Sequence, residues 1–477
     1  MGTHKLLQAL RSHLQRTHTP NCLCDCPTCS SGQCRPAALD VYWIQRHLLC
    51  ARAPLLEGSD KNYYSWDCLR QRCGNCFLRR DSIFSCPLSG FTANNHQMKW
   101  EKWEKKDYTQ HNLSSQGNGP RGEGIPLRTA PEAPKKKKTW VQKEGSTLDY
   151  FKAFSEHMLE AFIHKQLDKL TADIHHRTIR SIDQDNCRLL VHCDFSQDHS
   201  HAMADQSMCE FFDMVVSSLF IAIAHFYDPV TRKVECEGWI FVSDDNSHSN
   251  NCVNHYLQQI HEHYQAFYTM NDFERIYSMT IWADNCTEQF KSRFQIGWAA
   301  LYVNKTALEV IHLYFFCPQH GKGPPDGLGG NVKTALKNEE KFRRHKAATI
   351  DVYLWLQENF TEIKSPDTGL FSIRKRIFRY VPTGLVPRHR CIDSSAFPGI
   401  SETYAFAVTK GIPVGKVFHR FCSCHCESCM LGSFARCENE AFLGVWGVKY
   451  LEVVEAPEPP LKDVVETEIH QKLESTQ

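Results

Sequence analysis

The sequence has no uninterrupted apolar run of about 18 residues, the length that a membrane-spanning helix requires. It also lacks an excess of either charge, because 55 lysines and arginines balance 54 acidic residues. This balance excludes a chain-wide attraction to nucleic acid or membrane, so any such attraction must be local. The start of the chain lacks the continuous apolar core and the cleavage site of a secretion signal. We therefore expect a reducing intracellular compartment and no membrane partner.

What the chain does contain is cysteine, 23 residues in all. In a reducing compartment we expect these to be metal ligands and small core residues rather than a disulfide framework. A secreted protein stays open as an alternative, because the triplet Asn-Xaa-Ser/Thr occurs at four positions. They are Asn112, Asn285, Asn304 and Asn359.

Composition changes along the chain divide its 477 residues into five regions. A stretch rich in Gly, Pro, Ser and charge is predicted to be a linker, and it includes the run "PKKKK", which resembles a nuclear import signal. The acidic end of the chain is predicted to be disordered. The regions are a cysteine-rich zinc-binding module (1–106), the linker (107–147), a core (148–365), a C-terminal cysteine-rich extension (366–451) and the acidic tail (452–477).

The core region shows strand and helix patterns in a definite order. After a helix that begins near Leu148, three strands follow one another, and two further strands alternate with helices. Three consecutive strands can form an antiparallel meander to which the later strands return in parallel, which predicts an α/β fold with a five-stranded mixed sheet covered by helices. The predicted strands are 188–195, 217–227, 235–243, 277–284 and 308–316, and the predicted helices are 252–267, 288–302 and 328–346.

Three aspartates occupy special positions in this predicted core. Asp194 ends the first strand, Asp284 ends the fourth, and Asp326 lies just before the last helix. In the sheet, the first two would face each other across a gap of the size of a metal ion. Carboxylates are the hard oxygen ligands that suit Mg²⁺ or Mn²⁺, and two such ions about 3.5–4 Å apart can clamp the attacking and leaving oxygens of a phosphodiester displacement.

Each of these acids also has a purely structural interpretation. A single aspartate after a strand is commonly a turn former or a helix N-cap, and only the three in fold order favour a site. Other acids compete for the same role. They are Asp198, Asp244, Asp245 and Glu288 near strand ends, and Glu339 or Glu340 as a replacement third ligand.

Three sequence blocks carry a resemblance to a known superfamily. They read "DFSQDHS" at 194–200, "ADNCTEQFKSR" at 283–293 and "HGKGPPDGLGG" at 320–330. With their spacing and strand order, residues 145–350 resemble the DDE/DDD transposases and integrases of the ribonuclease H-like superfamily. The resemblance implies a ribonuclease H-like mixed sheet flanked by helices, with two-metal DNA cleavage followed by strand transfer.

The resemblance assigns Asp194, Asp284 and Asp326 as catalytic ligands of Mg²⁺ or Mn²⁺. It implies DNA as the partner and leaves a homo-oligomer open. Segment 322–346 carries seven lysines and arginines against three acids, an excess that suits a DNA backbone, although a basic helix is commonly just a solvated face. The predicted nucleic-acid-binding residues are Lys291, Arg293, Lys322, Lys333, Lys337, Arg343 and Arg344.

Clustered cysteines at both ends of the chain predict a second class of metal site. The order Cys-x-Cys-x-Cys-x-x-Cys occurs near each end, and thiolates at this spacing can chelate one tetrahedral structural Zn²⁺ without strain. Arginines surround a further N-terminal group, which leaves nucleic acid open as its partner. The predicted zinc ligands are Cys22, Cys24, Cys26, Cys29, Cys68, Cys73, Cys76 and Cys86 in the N-terminal module, and Cys422, Cys424, Cys426, Cys429 and Cys437 in the C-terminal extension.

Two functions follow from these patterns as alternatives. The first is a nuclear transposase-like enzyme with a ribonuclease H-like core between two zinc-binding modules. The second is a transposase-derived DNA-binding or scaffold protein that kept the fold and lost the reaction. A hydrolase of small phosphate esters is disfavoured, because such an enzyme would not need two zinc modules.

Overall fold

A computed structural model describes most of the chain from residue 135 to residue 455 and several short segments before it. The chain divides into two compact units, residues 1–53 with 67–164 and residues 54–66 with 165–477. The described residues are 53–54, 62–69, 97–108, 135–184, 187–201, 216–273, 275–318, 321, 323–341, 348–361, 363, 371–386, 392–411 and 413–455.

The described residues contain fifteen strands. They are β1 (Ala53–Pro54), β2 (Asn62–Tyr63), β3 (Gln97–Tyr108), β4 (Lys135–Ser146), β5 (Arg188–Ser200), β6 (Val216–Asp228), β7 (Lys233–Ser243), β8 (Ser278–Ala283), β9 (Val310–Phe315), β10 (Lys375–Val381), β11 (Ile392–Ser394), β12 (Ala405–Thr409), β13 (Lys416–Arg420), β14 (Gly447–Tyr450) and β15 (Val453–Glu455).

Eight α-helices are found in the same residues, and none of them is long and apolar enough to cross a membrane. They are α1 (Trp66–Leu69), α2 (Thr147–Arg180), α3 (Asn250–Met270), α4 (Arg293–Lys305), α5 (Pro324–Lys341), α6 (Thr349–Asn359), α7 (Glu427–Met430) and α8 (Glu440–Leu443). Single turns of 3₁₀ helix occur at Ile400–Glu402 and Phe434–Arg436.

Nine strands form one mixed sheet in the order β10-β7-β6-β5-β8-β9-β12-β13-β14. Strands β5, β6 and β7 form an antiparallel meander, and β8 and β9 continue the sheet from β5 in parallel. These five strands have the predicted order. The predicted size of the sheet is wrong, since β10 extends one side in parallel and β12 to β14 extend the other side antiparallel.

The helix predicted at 288–302 begins later than its apolar pattern suggests. Residues 287–290 form a turn, and α4 starts at Arg293. Ser292 caps it, because the Ser292 hydroxyl accepts a hydrogen bond of 3.2 Å from the backbone N–H of Gln295. Phe290, in this turn, is buried against the core as a helix residue would be. Its position therefore extends the apolar pattern of α4 towards the N-terminus.

Helices cover both faces of the sheet. On one face, α3 and α4 pack against alternate residues of β5, among them Leu189 and Val191. On the other face, the C-terminal part of α2 and the segment around α7 pack near Leu190, and α5 and α6 cover β6 and β7. Successive strand residues alternate between faces, so Asp194 lies on the same face as Leu190.

Two predicted regional boundaries differ from the observed structure. The C-terminal extension (366–451) contributes β10 and β12 to β14 to the central sheet, because the cysteine spacing that marked it carries no information about strand pairing. The predicted linker (107–147) includes β4, which pairs with β3 along its whole length. The linker was predicted because its polar composition offers little to bury. Antiparallel strand pairing requires only backbone hydrogen bonds, so a polar segment can form a strand. The acidic tail beyond residue 455 lies outside the described residues.

Candidate functional site

Asp194 lies in β5, and Asp284 directly follows β8, the parallel neighbour of β5 in the central sheet. Strands β5 and β8 pair with His192 opposite Trp282. Continuing this register by two residues brings Asp194 level with Asp284, directly after the end of β8. Both aspartates then share one face of the sheet with His192, because side chains alternate along a strand.

Strand β5 continues to Ser200, beyond its predicted end at residue 195. It pairs with β6 as far as Ser200, with an irregularity between Ser196 and His199. Asp194 therefore lies within a strand, at the point where β8, its neighbour on one side, ends. Its side chain is partly exposed there, as is that of Asp284.

The glycine-rich block 320–330 brings Asp326, in the first turn of α5, towards this edge of the sheet. At three of its glycines a side chain would collide with the strands, so only glycine lets the block lie this close. The nearest atoms to a Cβ at Gly321, Gly323 and Gly329 would be Asp284 Cβ at 2.7 Å, His192 Cε1 at 2.6 Å and Ser196 Oγ at 2.8 Å.

Repulsion among the three carboxylates affects the pKa of two of them. Burial and then repulsion from Asp284 and Asp326 raise the pKa of Asp194 to about 7. Burial also raises the pKa of Asp284, where repulsion from Asp326 adds to the effect and a hydrogen bond from the Cys286 backbone opposes it. A cation would relieve this repulsion and favour the ionised carboxylates. Carboxylate oxygen is the donor type that Mg²⁺ and Mn²⁺ prefer.

Two of the aspartates also make the local hydrogen bonds expected of caps. Oδ1 of Asp284 accepts a bond of 2.8 Å from the Cys286 N–H, and Oδ2 of Asp326 accepts one of 2.8 Å from the Gly323 N–H. These bonds fit the structural interpretation of a single acid. Each involves only one carboxylate oxygen, so capping leaves the other oxygen available as a ligand.

Four of the competing acids have hydrogen-bond or ion-pair partners of their own. Glu340, the alternative third ligand, is among them. Asp326, by contrast, contributes to the raised pKa of Asp194, after burial and repulsion from Asp284. The contacts are Asp198 with His248 at 2.8 Å, Asp244 with Tyr380 at 2.5 Å, Asp245 with Ser247 at 3.0 Å and Glu340 with His199 at 3.1 Å.

Four buried cysteines of the C-terminal segment form a group that can hold a structural metal such as zinc. Their sulfur atoms all lie within 4.8 Å of one another. Within the described ranges, no other set of three or more Cys, His, Asp or Glu side chains meets this limit, so the three aspartates are more widely spaced than the thiols. The group consists of Cys424, Cys426, Cys429 and Cys437.

Cys422, the fifth predicted ligand of this segment, lies outside the group although it is also buried. Burial raises the pKa of its thiol to about 12, so this cysteine is neutral at physiological pH. Its place is in the core beside the cluster. The spacing of the cysteines alone did not distinguish it from the four grouped residues.

Three N–H groups surround the cysteine cluster and lie within hydrogen-bonding distance of its sulfur atoms. Such donors stabilise thiolate, the form that binds metal, and they hold the ligands in place. The distances are 3.3 Å from Arg420 Nη1 to Cys437 Sγ, 3.4 Å from Asn439 Nδ2 to Cys424 Sγ and 3.3 Å from Trp446 Nε1 to Cys429 Sγ.

The cysteine cluster is attached to the central sheet through its backbone. The Tyr314 hydroxyl of β9 donates a hydrogen bond of 3.2 Å to the carbonyl oxygen of Cys424. A ring nitrogen of His312, on the same strand, lies 3.0 Å from the carbonyl oxygen of Cys429. An ion in this cluster would therefore stabilise the packing of the C-terminal segment on β9.

The predicted nucleic-acid-binding residues have different surroundings. Lys291 is buried, and its ammonium group donates to the Ser401 carbonyl oxygen at 3.1 Å. Burial lowers its pKa to about 7, which does not suit a phosphate contact. Arg293 forms an exposed ion pair of 3.4 Å with Asp393. On α5, Lys333 is half-buried and Lys337 is exposed.

Of the predicted zinc ligands of the N-terminal module, Cys68 lies within the described residues, where it is buried in α1. The remaining predicted ligands of the N-terminal module and three basic residues lie outside the described residues. They are Cys22, Cys24, Cys26, Cys29, Cys73, Cys76, Cys86, Lys322, Arg343 and Arg344.

Sequence reasoning missed a group of buried histidines next to the aspartates. The rings of His175 and His192 lie 5.1 Å apart. Burial, and then repulsion from His225, lower the pKa of His192 to about 3, so its imidazole is neutral and supplies no positive charge to the aspartates. His175 lies on α2, where the sequence predicts a polar helix face, whereas His192 and His225 lie in apolar strands, and nothing in the sequence shows that the three converge.

Comparison with known proteins gives one match. A family model described as "Domain of unknown function (DUF8701)" matches residues 176–368. The matched segment contains all three aspartates and ends before the four grouped cysteines. No curated protein and no solved structure matches the chain.

The cysteine group leads to a test by metal analysis. Replacing Cys429 by Ala should lower the zinc content of the purified full-length protein by one equivalent relative to wild type, because three thiolates no longer complete a tetrahedral site. Replacing Cys422 by Ala removes an equally buried thiol outside the group and should leave the zinc content unchanged. Equal zinc in wild type and Cys429→Ala would contradict the assignment.

The raised pKa of Asp194 leads to a test by pH-dependent stability. A carboxyl whose pKa is higher in the folded state than its ordinary value of 3.8 favours folding at low pH, and this contribution is lost as pH rises through about 7. Without added divalent ions, Asp194→Asn should therefore be more stable than wild type at pH 8, on the order of 1–2 kcal/mol, and equally stable at pH 4. Urea unfolding measures this.

The same exchange at the exposed turn residue Asp272 serves as the control. It should change stability little at either pH, because an exposed carboxylate is well solvated. If Asp194→Asn were less stable than wild type at pH 8, the three carboxylates would not repel one another in the folded protein.

Proposed function

We propose that the protein is a transposase-like DNA-processing protein of the DDE/DDD type, with a ribonuclease H-like core and metal-dependent phosphodiester cleavage and strand transfer. The observation that carries this proposal is the parallel pairing of β5 with β8. Its register, continued by two residues, brings Asp194 level with Asp284, and three closely packed glycines direct Asp326 to the same edge. The nucleus would be its place of action.

Strand topology supports the proposal. Strands β7, β6, β5, β8 and β9 are neighbours in that order, so the first strand of the core lies at the centre and the fourth lies beside it. The meander is antiparallel and the last two strands are parallel to β5. The proposed ribonuclease H-like fold would have this strand arrangement, with acids side by side on its first and fourth strands.

The chemistry of the acids also supports it. Asp194, Asp284 and Asp326 would hold Mg²⁺ or Mn²⁺, and such ions activate a water or 3′-hydroxyl nucleophile and neutralise charge on the phosphate. The chain's own contribution is to fix the carboxylates. Strand pairing orients Asp194, the bond from Cys286 orients Asp284, and the bond from Gly323 orients Asp326.

A second candidate is a transposase-derived DNA-binding or scaffold protein without catalysis. Two observations favour it, namely the wide spacing of the three aspartates and the use of one Asp326 oxygen as a cap. In both candidates DNA is the partner. The exposed Lys337 and the half-buried Arg293 belong to the proposed contact surface, whereas the burial of Lys291 argues against its inclusion.

The two candidates are separated by replacing Asp284 with Asn. Asparagine keeps the oxygen that accepts the Cys286 N–H but loses the charge that binds metal. Nicking or strand transfer in Mg²⁺ or Mn²⁺ should fall by roughly two orders of magnitude or more, while DNA affinity is retained. The measurement uses the full-length protein with labelled DNA duplexes. Duplexes that carry the terminal repeats of the corresponding transposable element are used where these repeats are known.

Asp272→Asn is the matched control, since it makes the same exchange in a turn whose φ of +53° asparagine adopts readily. It should cleave as wild type does. Unchanged cleavage by Asp284→Asn would refute the two-metal assignment. DNA binding without any metal-dependent cleavage by wild type would support the second candidate.

A further inference from the structure

Gly323 lies immediately before α5, and its backbone orients one of the three aspartates. Its N–H donates a hydrogen bond of 2.8 Å to Oδ2 of Asp326, the third residue of the helix. A bond from the N-cap backbone to the side chain at this position is one half of a capping box. The carbonyl oxygen of Gly323 accepts a bond of 3.2 Å from the N–H of Gly327. The location of Gly323 therefore determines where the Asp326 carboxylate lies.

The other half of the capping box would be a side chain at position 323, and His192 occupies the space that it needs. A Cβ on Gly323 would lie 2.6 Å from Cε1 of His192, 3.4 Å from Nε2 and 3.5 Å from Nδ1. These three nearest atoms all belong to one ring. Because carbon atoms in contact are normally about 3.5–4.0 Å apart, an added methyl group would push the glycine-rich block away by roughly 1 Å.

The ring of His192 has little room to move aside. Strand β5 is paired on both sides at this residue, which lies opposite Ile223 of β6 and Trp282 of β8. The His175 ring meets it edge-on with the ring centroids 5.1 Å apart, and the Phe316 ring lies 4.9 Å away. Rings in a close-packed interior cannot change rotamer without displacing their neighbours. Gly323 therefore rests on a fixed support.

His192 acts on Gly323 by contact rather than by charge. Burial, and then repulsion from His225, lower the pKa of its imidazole to about 3, so the ring is neutral. Its Nδ1 is buried and has no hydrogen-bond partner among the described residues. What the ring offers to the glycine-rich block is its shape.

We propose that His192 is the positioning residue for Asp326, because its ring supports Gly323 and thereby sets how closely the Asp326 carboxylate approaches Asp194 and Asp284. The consequence for metal binding rests on the proposed function, which places divalent ions among these three acids. Metal–ligand distances are kept within about 0.2 Å, so a shift of the block by roughly 1 Å would weaken the site. Residues that orient metal ligands commonly change metal affinity about 10- to 100-fold when they are replaced.

The alternative is that His192 is only a core residue of β5. Its replacement would then destabilise the sheet, and a methyl group added at Gly323 would cause a separate loss that adds to the first. If the ring positions Gly323, the two changes compensate each other, because removal of the ring makes the room that the methyl group needs. Non-additivity of this kind identifies residues in direct contact.

The test is a double-mutant cycle of Gly323→Ala and His192→Val in the full-length protein. Valine suits a strand and ends before the position of Cε1. Deuterium exchange of the amides in residues 321–330 is measured without metal, since it reports the bond from Gly323 to Asp326. Mn²⁺ affinity is measured by electron paramagnetic resonance of the free ion. Each single variant should exchange about tenfold faster and bind Mn²⁺ about tenfold more weakly, and the double variant should lie within about threefold of wild type.

Gly330→Ala is the matched control, because a Cβ on this glycine of α5 would meet nothing within 4 Å. It should leave both measurements unchanged. Urea unfolding checks that each variant is folded, and Gly323→Ala compared with Gly330→Ala tests the contact even if His192→Val does not fold.

Unchanged exchange in Gly323→Ala would overturn the proposal, as would a double variant in which the two losses add. Wild type that binds no Mn²⁺, with compensation still seen in the exchange of the double variant, would refute the proposed metal-dependent function. It would leave the positioning of Asp326 by His192 supported.

Discussion

The parallel pairing of β5 with β8 is the constraint on which the candidate site depends. It sets His192 opposite Trp282 and so brings Asp194 level with Asp284. Packing of the glycine-rich block against these same strands then adds Asp326. Burial and then repulsion from Asp284 and Asp326 raise the pKa of Asp194, and the repulsion from Asp284 is a consequence of this register. A slip by one residue would direct one of the two acids to the opposite face of the sheet.

The cysteine cluster and the aspartates are connected through the sheet. Strand β12 pairs with β9, and Tyr404, just before β12, accepts a backbone hydrogen bond of 2.9 Å from Phe315. The ammonium group of Lys291 lies 4.2 Å from the centroid of the Tyr404 ring and bonds to the Ser401 carbonyl. Lys291 thereby attaches the segment after Asp284 to the C-terminal region. A metal in the cysteine cluster would stabilise the framework that supports the aspartates.

The sequence allowed the order of the central elements to be predicted because their apolar runs are long and clearly periodic. It also indicated Asp194 and Asp284, which follow such runs, and all four of the grouped cysteines. It did not reveal that Lys291 is buried, because a lysine in this segment is typical of a solvated helix face. It also did not reveal that Cys422 lies outside the cluster. The pairing of β3 with β4 was also missed, because lysine-rich strands held by backbone hydrogen bonds have the composition of a linker. In each case long-range packing decided the outcome.

We propose that the three aspartates bind divalent cations together. The most direct test is anomalous diffraction from crystals of the full-length protein soaked in Mn²⁺ at pH 8, where Asp194 is ionised. We expect manganese between Asp194 and Asp284, with Asp326 contributing a ligand to the same site. Manganese absent from this edge of the sheet, or bound only by Asp244 and Asp245, would contradict it.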